Sequence, residues 1–145
     1  MQYSEGRFAR VFALRMDDGE DLIESLKKFV QEKKVDSCMA LFIGALQEGR
    51  VVTGPKMPVI PPIPHYENFD NAWEVFGMAT IYQSDAGPRL HMHSAIGKGR
   101  EAIVGCIRDK AKVYLVVEAV LFEFSGLKAK ILIISAHSCI LSWNR

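Results

Sequence analysis

Two histidines separated by one residue, His91 and His93, have the spacing in this sequence that best suits metal chemistry. In a β-strand, residues i and i+2 point to the same face and lie about 6.6 Å apart along the chain. Two imidazoles in that relation can converge on one ion at Zn–N distances of about 2.0 to 2.1 Å. The alternative is a pair of histidines on a half-exposed sheet face with no ion.

Cys106 is the thiol that can join these histidines across a hairpin. If Gly99-Arg100 forms the centre of a type II′ turn, Cys106 lies opposite His93. If Lys98-Gly99 forms the centre, Cys106 lies opposite His91, and both registers put it on the histidines' face. A three-residue loop would put it on the other face. Two histidines and a cysteine around an open fourth position form a catalytic zinc arrangement, whereas Mg²⁺ and Ca²⁺ prefer oxygen ligands. The alternative for Cys106 is a small buried residue.

Three other residues are weaker candidates. His137 and Cys139 form a second i, i+2 pair near the C-terminus, and they share a face if the last strand continues that far. Glu118 lies in an apolar run, where a carboxylate is unfavourable unless it is paired, hydrogen-bonded or protonated. It could orient a metal-bound histidine or act as a general base. The alternative for Glu118 is an edge position facing solvent or another subunit.

The elements that must position these residues are one helix and many strands. Apolar residues over 20–34 recur on one helical face, and the acidic residues of 17–19 offer an N-cap for this helix. Residues 55–64 hold five of the six prolines and predict an extended loop. Period-2 or apolar runs predict strands over 7–16, 37–43, 49–54, 73–82, 89–96, 101–107, 113–124 and 130–134. Turns are expected at 48–49, 97–100 and 108–110. The pattern predicts one α+β domain over 1–145, with one main helix on a mostly antiparallel, mixed sheet.

Composition excludes several classes of protein. Among 145 residues, 18 Lys+Arg against 17 Asp+Glu give a net charge of +1, which opposes a strongly basic nucleic-acid-binding protein but does not exclude a local basic patch. The N-terminus has no apolar signal segment, and no apolar run reaches the roughly 20 residues that span a bilayer. The three cysteines do not form a secreted disulfide framework. We therefore expect a cytoplasmic protein with no membrane partner and no direct binding to nucleic acid.

Several short motifs, taken in order, resemble the PPC domain (plants and prokaryotes conserved). The motifs are an arginine-bearing first strand that runs into Asp18-Gly19-Glu20-Asp21-Leu22, then Ile43-Gly44-Ala45-Leu46, Leu90-His91-Met92-His93 and Val104-Gly105-Cys106-Ile107, before a long strand that contains Glu118. The resemblance covers essentially the whole chain. It implies an α+β fold and a trimer, in a family found alone in prokaryotes and after AT-hooks in plant nuclear proteins. Members typically have a third histidine in a Gly-Gly-His segment, and this sequence has Cys106 at that place.

These observations together predict a homotrimeric metal-binding protein of undefined activity. The predicted ligands are His91, His93 and Cys106, and zinc is the metal that this donor set favours. One alternative is a non-catalytic trimeric regulatory or interaction module, associated with DNA-binding proteins as in the plant relatives. Another is a zinc-dependent, hydrolase-type enzyme. A small-molecule ligand is left open, because the sequence has no substrate motif.

Overall fold

The computed structural model describes residues 1–135 and 138–143, with side chains described through residue 130. Its described elements are one helix and eight strands. In chain order they are β1 (Arg7–Asp17), α1 (Leu22–Glu32), β2 (Ser37–Pro55), β3 (Pro64–Phe69), β4 (Trp73–Ser84), β5 (Gly87–Lys98), β6 (Glu101–Ser125), β7 (Ala129–Ser135) and β8 (Ser138–Trp143). The α+β prediction is confirmed, although the helix is the minor part.

Six strands form one antiparallel sheet in the order β1-β6-β5-β4-β2-β3, and β6 also pairs with β2. The pairs β2–β4, β4–β5, β5–β6 and β6–β2 therefore close a circuit. The strands β7 and β8 form a separate antiparallel pair. Every strand pair in the described residues is antiparallel, so the mixed component of the prediction is wrong there.

Helix α1 packs its apolar face on the sheet, as its 3.6-residue periodicity predicts. The buried residues of this face are Leu22, Ile23, Leu26 and Val30. The predicted cap within 17–19 is wrong, because the N-cap is Asp21, which accepts hydrogen bonds from the backbone N–H groups of Ile23 and Glu24. The other carboxylate oxygen of Asp21 accepts from the backbone N–H of Ala111 at 2.9 Å, so the cap also ties the helix to β6. Asp18 instead accepts from the backbone N–H of Leu115.

Two predicted turns do not exist. Residues 37–43 and 49–54 belong to one strand, β2, and residues 101–107 and 113–124 belong to another, β6. At 48–49 the chain stays extended within β2, and Gly49 lets Phe69 of β3 pack closely: a Cβ there would lie 2.6 Å from Phe69 Cζ. At 108–110 the left-handed Asp109 (φ +67°) accompanies a register shift instead of a reversal. Both signals mark irregularities within long paired strands.

The predicted proline-rich loop connects two paired strands. Its ends are Pro55, the last residue of β2, and Pro64, the first residue of β3, and these two are register partners. The strand β3 was not predicted from the sequence. This strand and the connecting segment bring additional side chains over one end of the sheet.

The sheet has an inner face that forms the core and an outer face that carries the histidines. Along β5, Met92, Ser94 and Ile96 are buried, whereas His91 and His93 point the other way and are exposed. The largest fully buried side chains include Phe42, Leu22, Leu26, Leu46, Ile81, Met92, Ile96, Ile107 and Leu121. Among the described residues, no helix is long and apolar enough to cross a membrane.

Candidate metal centre

The hairpin between β5 and β6 has the first of the two predicted registers. His93 is the partner of Cys106, and Lys98 is the partner of Glu101, which leaves Gly99 and Arg100 at the turn. Gly99 has a φ of +61°, the left-handed conformation that glycine adopts without steric cost. The alternative turn at Lys98-Gly99 is wrong. Directly opposed residues of antiparallel strands project to the same face, so the turn fixes Cys106 beside the histidines.

His91, His93 and Cys106 meet in one cluster. Their potential ligand atoms all lie within 4.8 Å of one another. The two imidazoles are edge to face, with ring centroids 4.9 Å apart and an interplanar angle of 81°. The histidines are exposed and the Cys106 thiol is buried, with 4% of the residue exposed. The cluster thus has an open side and a closed side.

The donor set and spacing fit a transition metal. The Nε2 atoms of His91 and His93 lie 3.2 Å apart. Two nitrogens bound tetrahedrally at about 2.0 to 2.1 Å from zinc are separated by roughly 3.3 Å. Two neutral imidazoles and a thiolate suit Zn²⁺ and other soft or borderline metals. The three residues therefore form a set that could hold such an ion, with Cys106 as the buried donor.

The surroundings of His91 favour its neutral form. Burial lowers the pKa of His91 below its ordinary value, and the nearby His93 and Arg108 lower it further. Neutral imidazole is the form that binds a metal. Because cationic charge next to the ring opposes protonation, His91 keeps a lone pair available at neutral pH.

The cluster opens into a cavity of about 400 Å³. Its other walls come from the end of β2, from β3, from the connecting prolines and from β6. They include Val52, Pro62, Tyr66, Val104 and Arg108. Tyr66 and Arg108 could not be identified from the sequence: the pairing of β3 with β2 that places Tyr66 carries no local motif, and Arg108 lies in a segment of β6 that was predicted to be a turn. The cavity has the size and mainly apolar walls of a small-molecule site.

Tyr66 is held in this wall by Arg50. The guanidinium of Arg50 lies over the tyrosine ring, 4.3 Å from its centroid, and also forms an ion pair with Asp109. Next to Tyr66 on β3, the Nδ1 atom of His65 lies 3.0 Å from the Oγ1 atom of Thr53 on β2. These contacts join β2, β3 and β6 at the end of the sheet where the cavity lies.

Glu118, one of the sequence candidates, does not join the cluster. Glu118 is exposed on β6 opposite Arg15 and Ile43, whereas Cys106 lies at another part of β6, opposite His93 and Val52. The structure therefore does not bring Glu118 to the histidines. The pair His137 and Cys139 lies outside the residues whose side chains the structure describes.

Solved structures with this fold come from archaea and bacteria. The metal-containing protein of Archaeoglobus fulgidus has a TM-score of 0.84 at 20% identity, with 100% of each chain covered. The plant- and prokaryote-conserved (PPC) protein of Pyrococcus horikoshii has a TM-score of 0.80 at 19% identity, with 100% of this chain and 98% of that chain covered. A candidate DNA-binding protein of Bacteroides thetaiotaomicron has a TM-score of 0.78 at 18% identity, with 97% of this chain and 99% of that chain covered. No curated protein matches the sequence.

The fold and the cluster define a small α+β protein with a His/His/Cys donor set beside a cavity. The family profile of the Plants and Prokaryotes Conserved (PCC) domain matches residues 3–125. The chain therefore belongs to this family, as its motifs predict. The solved structures, all at low identity, show the fold and leave the activity open.

Proposed function

We propose that this chain is a metal-binding PCC-domain protein that holds one zinc ion through His91, His93 and Cys106. The observation that carries the proposal is the convergence of the three donor atoms within 4.8 Å. The metal-containing protein of Archaeoglobus fulgidus, which has the same fold, supports a metal in this architecture. Zinc held by three side chains supplies Lewis acidity at an open fourth position.

Metal analysis of purified variants tests the ligand set. Wild-type protein should contain about one zinc per chain after reconstitution, and His91→Ala or His93→Ala should lose it. Cys106→His should retain the metal because it restores the donor that relatives typically have. His65→Ala is the matched control, since this histidine contacts Thr53 and not the cluster. Stoichiometric metal that survives removal of both His91 and His93 would place the site elsewhere, with His137 and Cys139 next to test.

We also propose that residues 1–145 form one domain that assembles as a homotrimer. The support is an apolar region on the outer face of the sheet. One cross-strand row joins Ile43, Phe76, Ala95 and Val104. Phe76 is 62% exposed and Val104 66% exposed. Monomeric proteins rarely expose continuous apolar patches of this kind.

Light scattering decides the assembly. The expected mass is three times the 16.3 kDa of one chain. Phe76→Glu should reduce the mass, because it places a charge in the apolar row. Met57→Glu is the control, since Met57 is also exposed but lies in the segment that connects β2 and β3. A monomer at micromolar concentration in the wild-type protein would contradict the trimer.

The same apolar face favours a second candidate, a non-catalytic trimeric interaction module. Some neighbours in structure are described as candidate DNA-binding proteins, which suits an association with such partners. The hydrolase-type alternative has weaker support: none of the described residues that line the cavity is acidic, and Glu118 lies elsewhere. Wild-type protein that is monomeric at micromolar concentration would argue against the interaction module as well.

A further inference from the structure

The cavity beside the donor cluster combines apolar walls with a single arginine. Val52, Pro62, Pro64 and Val104 provide apolar surface around a volume of about 400 Å³. Arg108 is the one arginine in the described wall, which contains no lysine, aspartate or glutamate. The walls would therefore select an apolar body, and the charge would select an anion.

The guanidinium of Arg108 has no carboxylate within ion-pair distance in the part of the chain that the structure describes. Arg108 also lines a smaller cavity of about 200 Å³, where two carboxylates occur. Both are engaged by other cations: Asp109 by Arg50 and Glu24 by Lys27. The charge of Arg108 is therefore left for a ligand, and a planar guanidinium matches a carboxylate with two parallel hydrogen bonds.

We propose that this cavity binds a small organic monocarboxylate, with its apolar chain against the valine and proline walls and its carboxylate on Arg108. A carboxylate suits the site better than a phosphate, because one arginine neutralises one charge. The inference deepens the proposed function, because the cavity is the one into which His91, His93 and Cys106 open. An anion subsite at its wall would orient such a ligand relative to the donor cluster.

Calorimetric titration of the metal-free protein tests the proposal without relying on zinc. Octanoate is the probe, octanol has the same chain without the charge, and acetate has the charge without the chain. Octanoate should bind at least tenfold more tightly than either. Charge-assisted hydrogen bonds of this kind correspond to about tenfold to a hundredfold in affinity. Equal binding of octanoate and octanol would overturn the proposal.

Two variants locate the charge. Arg108→Met keeps the aliphatic stem and should weaken octanoate by tenfold or more while leaving octanol unchanged. Arg100→Met is the control, because Arg100 is an exposed arginine at the hairpin turn and lines neither cavity. An unchanged octanoate affinity in a folded Arg108→Met would overturn the proposal. If that variant does not fold, the comparison of the three probes on the wild-type chain still decides.

The same titration on zinc-loaded protein separates this inference from the metal site. Octanoate binding in a chain that takes up no zinc would remove the metal proposal and keep the anion subsite. One zinc per chain, with no octanoate binding to the metal-free or the zinc-loaded protein, would keep the metal proposal and remove the anion subsite. The double variant of His91 and His93 to alanine should lose zinc, and the comparison of the three probes is made on the wild-type chain because both histidines line the cavity.

Discussion

A methyl group added at Gly105 should destabilise the protein and disturb the donor cluster. Gly105 is buried on β6, opposite Ser94, where the strand also pairs with β2. A Cβ at this position would lie 2.3 Å from the carbonyl oxygen of Val52 and 2.7 Å from Val51 Cγ1. The nearer obstacle is backbone and cannot rotate away, so Gly105→Ala must push β2 and β6 apart.

The size of the effect follows from the overpacking. Inserting an extra carbon into a well-packed region costs about 1 to 3 kcal/mol in the free energy of unfolding. For a chain of this length, that corresponds to a fall in melting temperature of roughly 3 to 10 °C. Val52 is also the partner of Cys106 on β6. The same displacement should therefore move the thiol and weaken zinc binding along with stability.

Gly97→Ala is the matched control in the same hairpin. A Cβ at Gly97 would meet nothing closer than the carbonyl oxygen of Glu101 at 3.7 Å, an ordinary contact. Thermal denaturation followed by circular dichroism should show this variant within about 0.5 kcal/mol of the wild type. Equal melting temperatures for Gly105→Ala and Gly97→Ala would refute the close approach of β6 to Val52.

Three further predictions concern capping, pH and nucleic acid. Asp21→Ala should lower the free energy of unfolding by about 1 to 2 kcal/mol, because Asp21 caps α1 and also accepts from the backbone of Ala111; a denaturant titration that shows no change would contradict this. Two hydrogen bonds from Arg10 hold the pKa of Glu123 below its ordinary value. The ion pair therefore stabilises the folded state fully above the unfolded-state pKa of Glu123, near 4.5, and this stabilisation is lost as the pH falls through the lower pKa of the folded state. Arg10→Met should therefore be less stable than the wild type at pH 7, and the difference should vanish in acid titration below that window. Binding to a defined DNA duplex at physiological salt should be weak because the net charge is +1, and nanomolar binding in a fluorescence anisotropy assay would contradict that expectation.

The parts of the site that are close in sequence could be predicted from it. His91 and His93 share a face because a strand has a period of two. The face on which Cys106 lies follows from a tight turn between β5 and β6, and Gly99 suits the left-handed conformation in that turn. Each of these predictions depends only on residues that are close in the sequence, so local conformational preferences were sufficient to make it.

The cavity could not be predicted, because it depends on contacts between distant segments. Tyr66 reaches the site only through the pairing of β3 with β2, and Arg108 only because β6 continues through the expected turn. Gly49 has the local appearance of a turn residue, yet its role is to admit the ring of Phe69. The sequence left two interpretations of Glu118 open for the same reason: an apolar run shows that a strand is present but not which face its carboxylate takes.

The circuit of paired strands has a consequence for how the chain folds. The hairpin of β5 and β6 can form early, because its turn is short. The circuit closes only when β2 meets β6, as in the pairing of Met39 with Phe122. A large part of the chain must be ordered before those distant residues gain their hydrogen bonds, and the loop-closure entropy is lost first. We therefore expect refolding on the millisecond-to-second scale of β-rich domains, with the pairing of Met39 with Phe122, at the end of the sheet away from the cavity, completed late.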